Sequence, residues 1–404
     1  GFMNIAIAAA GRLKGGAAKV SVLSSALFGS ISGSASANVA STGMVTLPSM
    51  RRLGYPKRIA AAVEAVASTG GQIMPALMGA GAFVMVELTG IPYTQIIIAA
   101  ALPAILYFAT VWIGVNGYAD RHDLQPYRED MRPGLKTIIV TSLFFAVPFG
   151  ALLFVMFSGY TPQFAAASAI ILAALLLLTG ADLAFNPSRV RERMVQAAIT
   201  AGKQIAMIAS IILCASIIVG ILGMTGLGVK ITSGILAFSG DNLWLALALT
   251  ALACIILGME VPTTAAYVIC VSVAGPALID MGVEPLLVHL FIFWYALLST
   301  IPPPVCGGVF IAASMVEENW LPVAGSAMSL GLGLYVIPLA IIRHPELTGL
   351  ADAPMAALLT ALQIGIGLAL LGRGLTAPNA VPVRAVLVAA GLTVIFLRTD
   401  LLGG

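Results

Sequence analysis

Charged side chains are scarce: Asp, Glu, Lys and Arg make up 9% of the 404 residues, where a soluble domain carries about 25%. That shortage excludes a chain coated in water, and the rest of the composition says what replaces the water. Hydrophobic residues reach 60% and the mean hydropathy is +1.03, more apolar surface than a soluble core of this length can bury. Histidine is also rare, with His122, His289 and His344 far apart, and the four cysteines (Cys214, Cys254, Cys270, Cys306) have no CxxC spacing. No transition-metal site is expected, and the cysteines read as small buried hydrophobes. Neither GxSxG nor HExxH occurs, which leaves an intramembrane hydrolase as a remote reading and argues against an enzyme. The net charge of +3 is not a nucleic-acid signal, because the cations fall in short clusters between apolar runs. No signal peptide precedes the first segment and the chain opens at Gly1, which suggests a start inside a longer protein.

Apolar segments are plentiful, and several reach the ~20 residues needed to span a bilayer as a helix. They cover 96–118, 137–157, 163–183, 204–223, 322–342, 354–372 and 380–397. Four further regions, 17–50, 57–88, 244–281 and 284–316, are apolar but interrupted by glycine, proline or small polar residues. Lysine and arginine mark cytoplasmic loops. Arg12, Lys14 and Lys19 precede the first interrupted region and Arg51, Arg52, Lys57 and Arg58 follow it, so 17–50 is expected to enter and leave from the cytoplasm as a re-entrant hairpin. The basic loops 121–136 and 189–203 then fall inside, and 244–281 enters from the opposite face.

An internal repeat accompanies this topology. Pro48 to Gly54 matches Pro276 to Gly282, Ser68-Thr69 before Pro75 matches Ser299-Thr300 before Pro302, and Met85-Val-Glu87 matches Met315-Val-Glu317. The expected offset is about 230 residues. Inverted repeats with broken helices are the signature of a secondary transporter whose site lies near the bilayer midplane. The expected fold is therefore all-α and polytopic, with two re-entrant hairpins and two interrupted helices, of the elevator type and N-terminally truncated. Its expected parts are a first repeat (1–118), a cytoplasmic loop (119–136), scaffold helices (137–243), a second hairpin with its interrupted and closing helices (244–345) and tail helices (346–404).

The interruptions carry the chemistry. The first tip, Ser30 to Gly43, is dominated by small residues, among them Ser32, Gly33, Ser34, Ser36 and Asn38. Non-helical backbone at membrane depth must be buried in protein or line a wet cavity. Serine and asparagine oxygens beside freed carbonyls suit a hard cation, for which Na⁺ is the natural candidate. The competing reading is packing, with Gly29 and Gly33 as a GxxxG contact. The second tip, Gly258-Met-Glu260-Val-Pro262-Thr263-Thr264, begins a half-helix whose N-terminus points into the membrane and favours an anion. The interrupted helices supply the other wall, through Gly70, Gly71, Gln72 and Pro75 and through Thr300, Ile301 and Pro302. Two intramembrane carboxylates stand out. Glu260 sits at a tip, whereas Glu64 reads as an acceptor for a neighbouring helix or for water. His289 reads as a hydrogen-bonded core residue, and Met74, Met78 and Met85 as adaptable packing.

On Gly29 to Gly54, Glu64 to Pro75 and Leu257 to Tyr267, the chain resembles the large permease of tripartite ATP-independent periplasmic (TRAP) transporters, in particular the form with fused small and large subunits. The resemblance covers about residues 10–345. It implies a multi-pass inner-membrane importer, driven by Na⁺ rather than ATP, that receives an organic acid from a periplasmic binding protein, here of the TAXI type. It also implies a small permease portion, which the expected missing N-terminal part would contain. No cofactor is implied beyond Na⁺ as coupling ion. Carried onto this sequence, the ion-binding candidates are Ser32, Gly33, Ser34, Asn38, Gly70, Gly71, Glu260, Thr263, Thr264, Thr300 and Ile301. The substrate-binding candidates are Ser36, Gln72, Pro75, Pro262 and Pro302. Glu260, where the family has glycine, and Pro302, where it has threonine before a proline pair, depart from the pattern. A receptor-independent carboxylate transporter of similar inverted-repeat architecture is the alternative.

Overall fold

Long apolar runs cut by Gly, Pro and Ser become helices that stop and restart. In the computed structural model, which describes residues 2–75, 78–126, 134–178, 187–259 and 261–397, helices and turns account for the secondary structure and no strand occurs among the described residues. Among the described residues, six helical stretches are long and apolar enough to cross a membrane, one of them Trp320–Arg343.

A short helix α1 (Phe2–Ala10) leads into α2 (Gly16–Ser32) and α3 (Ala35–Arg52). These two run antiparallel, since Ser25 and Thr42, placed symmetrically about the turn, share a hydrogen bond of 3.2 Å. Next come α4 (Lys57–Gly70), a 3-10 turn over Gly71–Ile73, α5 (Gly81–Thr89) and the long span α6 (Tyr93–His122). The middle of the chain holds α7 (Leu135–Phe157), α8 (Pro162–Leu177), α9 (Pro187–Thr225) and α10 (Leu227–Ser239). The helix–break–helix pattern then returns in α11 (Leu243–Leu257), α12 (Thr263–Asp280), α13 (Pro285–Leu298) and α14 (Gly307–Met315), followed by α15 (Trp320–Leu330) and α16 (Gly333–Arg343). Finally α17 (Pro354–Thr376) and α18 (Val381–Phe396) pair with each other, and α17 lies along α6.

The repeat is written in the backbone. Helices α3, α4, α5 and α6 begin 228, 228, 226 and 227 residues before α12, α13, α14 and α15. Gly54 and Gly282 both turn the chain at φ +85°, a conformation that costs glycine nothing. The Ser68-Thr69/Ser299-Thr300 and Met85/Met315 pairings, taken at an offset of 230 or 231 from the sequence, are thus about one helical turn out of register. Small residues recur at each break, and sequence similarity there does not fix the phase.

Other boundaries also differ from expectation. The first tip is only Gly33-Ser34, because Ser34 accepts from the Ala37 amide and starts α3 at once; Ser36 and Asn38 are therefore helical. The span expected over 322–342 is met by the apolar stretch Trp320–Arg343, which carries a turn at Gly331-Leu332 within it. The span expected at 204–223 is the end of a 39-residue helix. Helices α1 and α10 were not expected, being short and flanked by glycine. Cys254, Cys270 and Cys306 are buried as expected, whereas Cys214 is exposed on α9. From Ile205 onward that helix presents a largely apolar surface, with Met224 84% exposed, as a lipid-facing helix does.

Glycines let the two breaks of the first half touch. A Cβ on Gly29 would stand 2.5 Å from the Gly71 Cα, and one on Gly33 would stand 2.7 Å from the Gly79 Cα. The GxxxG pair is thus a backbone-to-backbone seam between α2 and the interrupted helix. Both clashes are with main chain, so Gly29→Ala is expected to cost about 1–3 kcal/mol through overpacking. The corresponding fall in melting temperature in detergent should be several degrees; an unchanged melting curve would show that the seam yields freely.

Candidate functional site

Each interrupted pair leaves helix ends in the interior, and the N-terminal ends meet. The starts of α3 (Ala35, Ser36), α12 (Thr263, Thr264) and α14 (Gly307) line one cavity of about 580 Å³, joined by Gly79 and Ala80 at the start of α5. Four helix N-termini with positive dipole ends therefore converge on one space. Ser34 accepts from the Ala37 amide of α3 and the Met78 carbonyl from the Gly81 amide of α5, whereas Pro262 and Cys306, the caps of α12 and α14, supply no side-chain acceptor and leave first-turn amides available to a ligand.

Gln72 completes this polar wall. It is 1% exposed, and its Oε1 accepts from the Thr263 hydroxyl of the opposite half. That bond fixes the amide, and Nε2 is left buried without a protein partner. Ser32 Oγ is also buried and unpartnered, and both residues line the cavity. A second bridge between the halves joins Thr69 Oγ1 to Thr300 Oγ1 at 3.1 Å.

Of the residues singled out in the sequence, Ser32, Gly33, Ser34, Ser36, Gln72, Pro262, Thr263, Thr264 and Thr300 come together around this cavity. Asn38, Gly70, Gly71, Ile301, Pro75 and Pro302 do not line it. Asn38 is fully buried, and its Nδ2 donates to the carbonyls of Ser25 (3.0 Å) and Ser68 (3.3 Å), pinning the first hairpin to the first break. Gly70 lies against the Tyr107 ring and Gly71 against Gly29, where a Cβ has no room. Ile301 and Pro302 are buried, and Pro75 and Pro302 fall where the chain leaves helical geometry, which proline cannot continue. Glu260 lies outside the described residues. Sequence reasoning missed Phe83 and the α9 residues Gln204, Met207, Ile208 and Ile212, which also line the cavity. Nothing marks them in the sequence, since α9 reads as an ordinary lipid-facing span.

Glu64 has its own surroundings. It is fully buried and accepts from Ser21 Oγ at 2.7 Å, from Thr42 and Thr46, and from Ser68 Oγ at 3.4 Å. Three helices thus meet on one carboxylate, the first of the two readings left open by the sequence. His289 is likewise a core residue, with Nδ1 2.6 Å from the Tyr267 hydroxyl. Met78 and Met85 are buried in the core. At the surface, Lys14 bonds Asp120 at 2.8 Å, and that bond raises the pKa of its ammonium group above the ordinary lysine value.

Helices of this length and polarity, broken around an interior polar cavity, define a multi-pass membrane transport protein. Residues 1–354 match the family described as tripartite ATP-independent periplasmic transporter, DctM component, and the chain belongs to that family. Among curated relatives, the uncharacterized protein YgiK of Salmonella typhimurium is 24% identical over 357 residues, covering 86% of this chain and 78% of that one. The C4-dicarboxylate TRAP transporter large permease protein DctM of Pseudomonas aeruginosa is 24% identical over 326 residues (78% and 72%). The isethionate TRAP transporter permease protein DctMQ of Oleidesulfovibrio alaskensis is 24% identical over 325 residues (79% and 49%). The chain is accordingly an inner-membrane TRAP-type permease and not an enzyme.

Replacing Glu64 by alanine is expected to strand the Ser21 hydroxyl, while Thr42 and Thr46 turn to the carbonyls of Asn38 and Thr42 in their own helix, at about 1–3 kcal/mol for a buried group left unpaired. Glu64→Gln keeps one acceptor and should lose less. Thermal unfolding of the two variants checks the order; equal losses would mean that the network contributes nothing beyond volume.

Proposed function

We propose that the chain moves an organic acid anion inward across the membrane, coupled to Na⁺, after delivery by a periplasmic binding protein of the TAXI type. The observation that carries the anionic substrate is the convergence of four helix N-termini on a cavity whose described lining contains no lysine, arginine or histidine. Oriented amides then supply the positive potential, as at other helix-terminus anion sites. Gln72 Nε2, Ser32 and the Thr263-Thr264 end of α12 are the groups in reach of the carboxylate.

Sodium suits the helix ends on the other side of each break. The C-termini of α2, α4, α11 and α13 leave carbonyls without intrahelical partners, and half-helix C-termini coordinate coupling cations in other interrupted transporters. Ser32, Gly33, Ser34, Asn38, Gly70, Gly71, Thr263, Thr264, Thr300 and Ile301 are the candidate ligands from this chain. The two helix–break–helix halves act as oppositely inserted hairpins in a unit that slides against the scaffold helices.

Reconstitution in proteoliposomes tests this reading. With the binding protein added, an inward Na⁺ gradient is expected to drive accumulation of the acid, and removal of either should abolish it. Accumulation indifferent to sodium would reject the coupling; accumulation without the binding protein would favour a receptor-independent transporter. Gln72→Leu removes one hydrogen bond to a charged group, worth about 1.5–3 kcal/mol. The half-saturating concentration of the acid should therefore rise about 10- to 100-fold. An unaltered value would remove Gln72 from the site.

A further inference from the structure

The cavity wall is chemically lopsided. Apart from Gln204 on α9, its hydrogen-bond donors come from the broken helices: the amide ends of α3, α5, α12 and α14, and Gln72 Nε2, which is buried, unpartnered and held in orientation by Thr263. Helix α9 contributes a different surface. Gln204, Met207, Ile208 and Ile212 line the cavity from that helix, at the i, i+3, i+4, i+8 spacing that places residues on one helical face. Phe83 and Val261 extend the apolar area.

We infer that the transported anion carries a single negative group joined to an apolar body, the negative group at the broken-helix ends and the body against α9. The inference rests on the anionic reading above and narrows it. A second carboxylate on the same molecule would have to lie against Met207, Ile208, Ile212 or Phe83, with the neutral amide of Gln204 as the donor on α9 and no cation among the described lining residues to meet it. Burying an ion beside apolar side chains without a partner is strongly unfavourable. An alkyl or aryl body gains by the same contact, at roughly 0.8 kcal/mol per buried methylene. A cavity of about 580 Å³ also sits well inside the ~300–1,000 Å³ range of sites for larger organic ligands, more space than a four-carbon acid fills.

Hexanoate and adipate differ only by the second carboxylate and separate the possibilities. The full-length chain is purified in lipid nanodiscs with sodium at fixed ionic strength, and its melting temperature is followed while each acid is added. Hexanoate is expected to stabilise it at about a tenfold lower concentration than adipate. In the double variant Met207→Gln, Ile208→Asn that preference should shrink or reverse, while the melting temperature without ligand stays where it was. Adipate acting as well as hexanoate or better in the unaltered protein would overturn the inference and leave the anion reading intact. A preference unmoved by the α9 substitutions would overturn the role of that helix. Stabilisation by neither acid would defeat the anion reading itself, and the narrower claim with it.

Discussion

Inside a membrane, a helix that ends has nowhere to put its last four amides or carbonyls except into protein or trapped water. Every feature of the site follows from that constraint. The chain ends helices in its interior at Ser32, Gly70, Leu257 and Leu298 and restarts them at Ala35, Gly81, Thr263 and Gly307. Some freed groups are settled locally: Ser34 accepts from the Ala37 amide, Asn38 donates to two carbonyls, and Ser299 Oγ donates to the Gly258 carbonyl at 2.8 Å. The amide ends of α12, α14 and α5 are not settled by side chains, and they face one cavity. A transporter that must hold an anion in one position and release it in another benefits from backbone dipoles. They hold charge without the desolvation cost of a buried lysine or arginine.

Much of this was legible in the sequence, because the residues that stop a helix are few and strongly typed. Glycine, proline and serine clusters located all four interruptions, and the nine candidates that line the cavity were drawn from them. Two kinds of feature were not legible. Phase was lost, since Ser-Thr and Met-Val-Glu motifs recur near both breaks at separations that differ from the helix register by about a turn. Tertiary walls were lost as well. Gln204, Met207, Ile208 and Ile212 face the cavity only because α9 packs against α12, and an apolar helix carries no mark that tells a lipid-facing stripe from a cavity-facing one. The tip was drawn too wide for a related reason: Ser36 and Asn38 favour turns in isolation, but with Ser34 as cap they are absorbed into the first turns of α3.

Asn38, Gly70 and Gly71 illustrate how a motif can be located correctly and its residues used differently. All three sit at the first break, yet none lines the cavity. The glycines let Gly29 and Tyr107 approach the main chain, and Asn38 spends its amide on the carbonyls of Ser25 and Ser68. They hold the break in shape, while Gln72, one residue beyond, presents its amide to the space that the shape creates.

The two halves reach nearly the same backbone with different interiors. Glu64 is the eighth residue of α4, and the eighth residue of α13 is Ile292; Thr42 and Thr46 of α3 correspond in the same way to Cys270 and Ala274 of α12. The second hairpin thus docks on its interrupted helix without a carboxylate, and that of Glu64 is therefore not demanded by the architecture. Its burial is tolerable only because three neighbouring hydroxyls, and a fourth at longer range, converge on it. Two of those side chains also lie near a carbonyl of their own helix: Thr42 with Asn38 at 2.8 Å and Thr46 with Thr42 at 3.0 Å. A hydroxyl has one hydrogen to give, so Thr42 and Thr46 must divide theirs between helix backbone and Glu64. The first hairpin is consequently held to α4 by bonds that rotation of a side chain can exchange, whereas the second is tied to α13 by the Tyr267–His289 bond and by Ser299 Oγ on the Gly258 carbonyl.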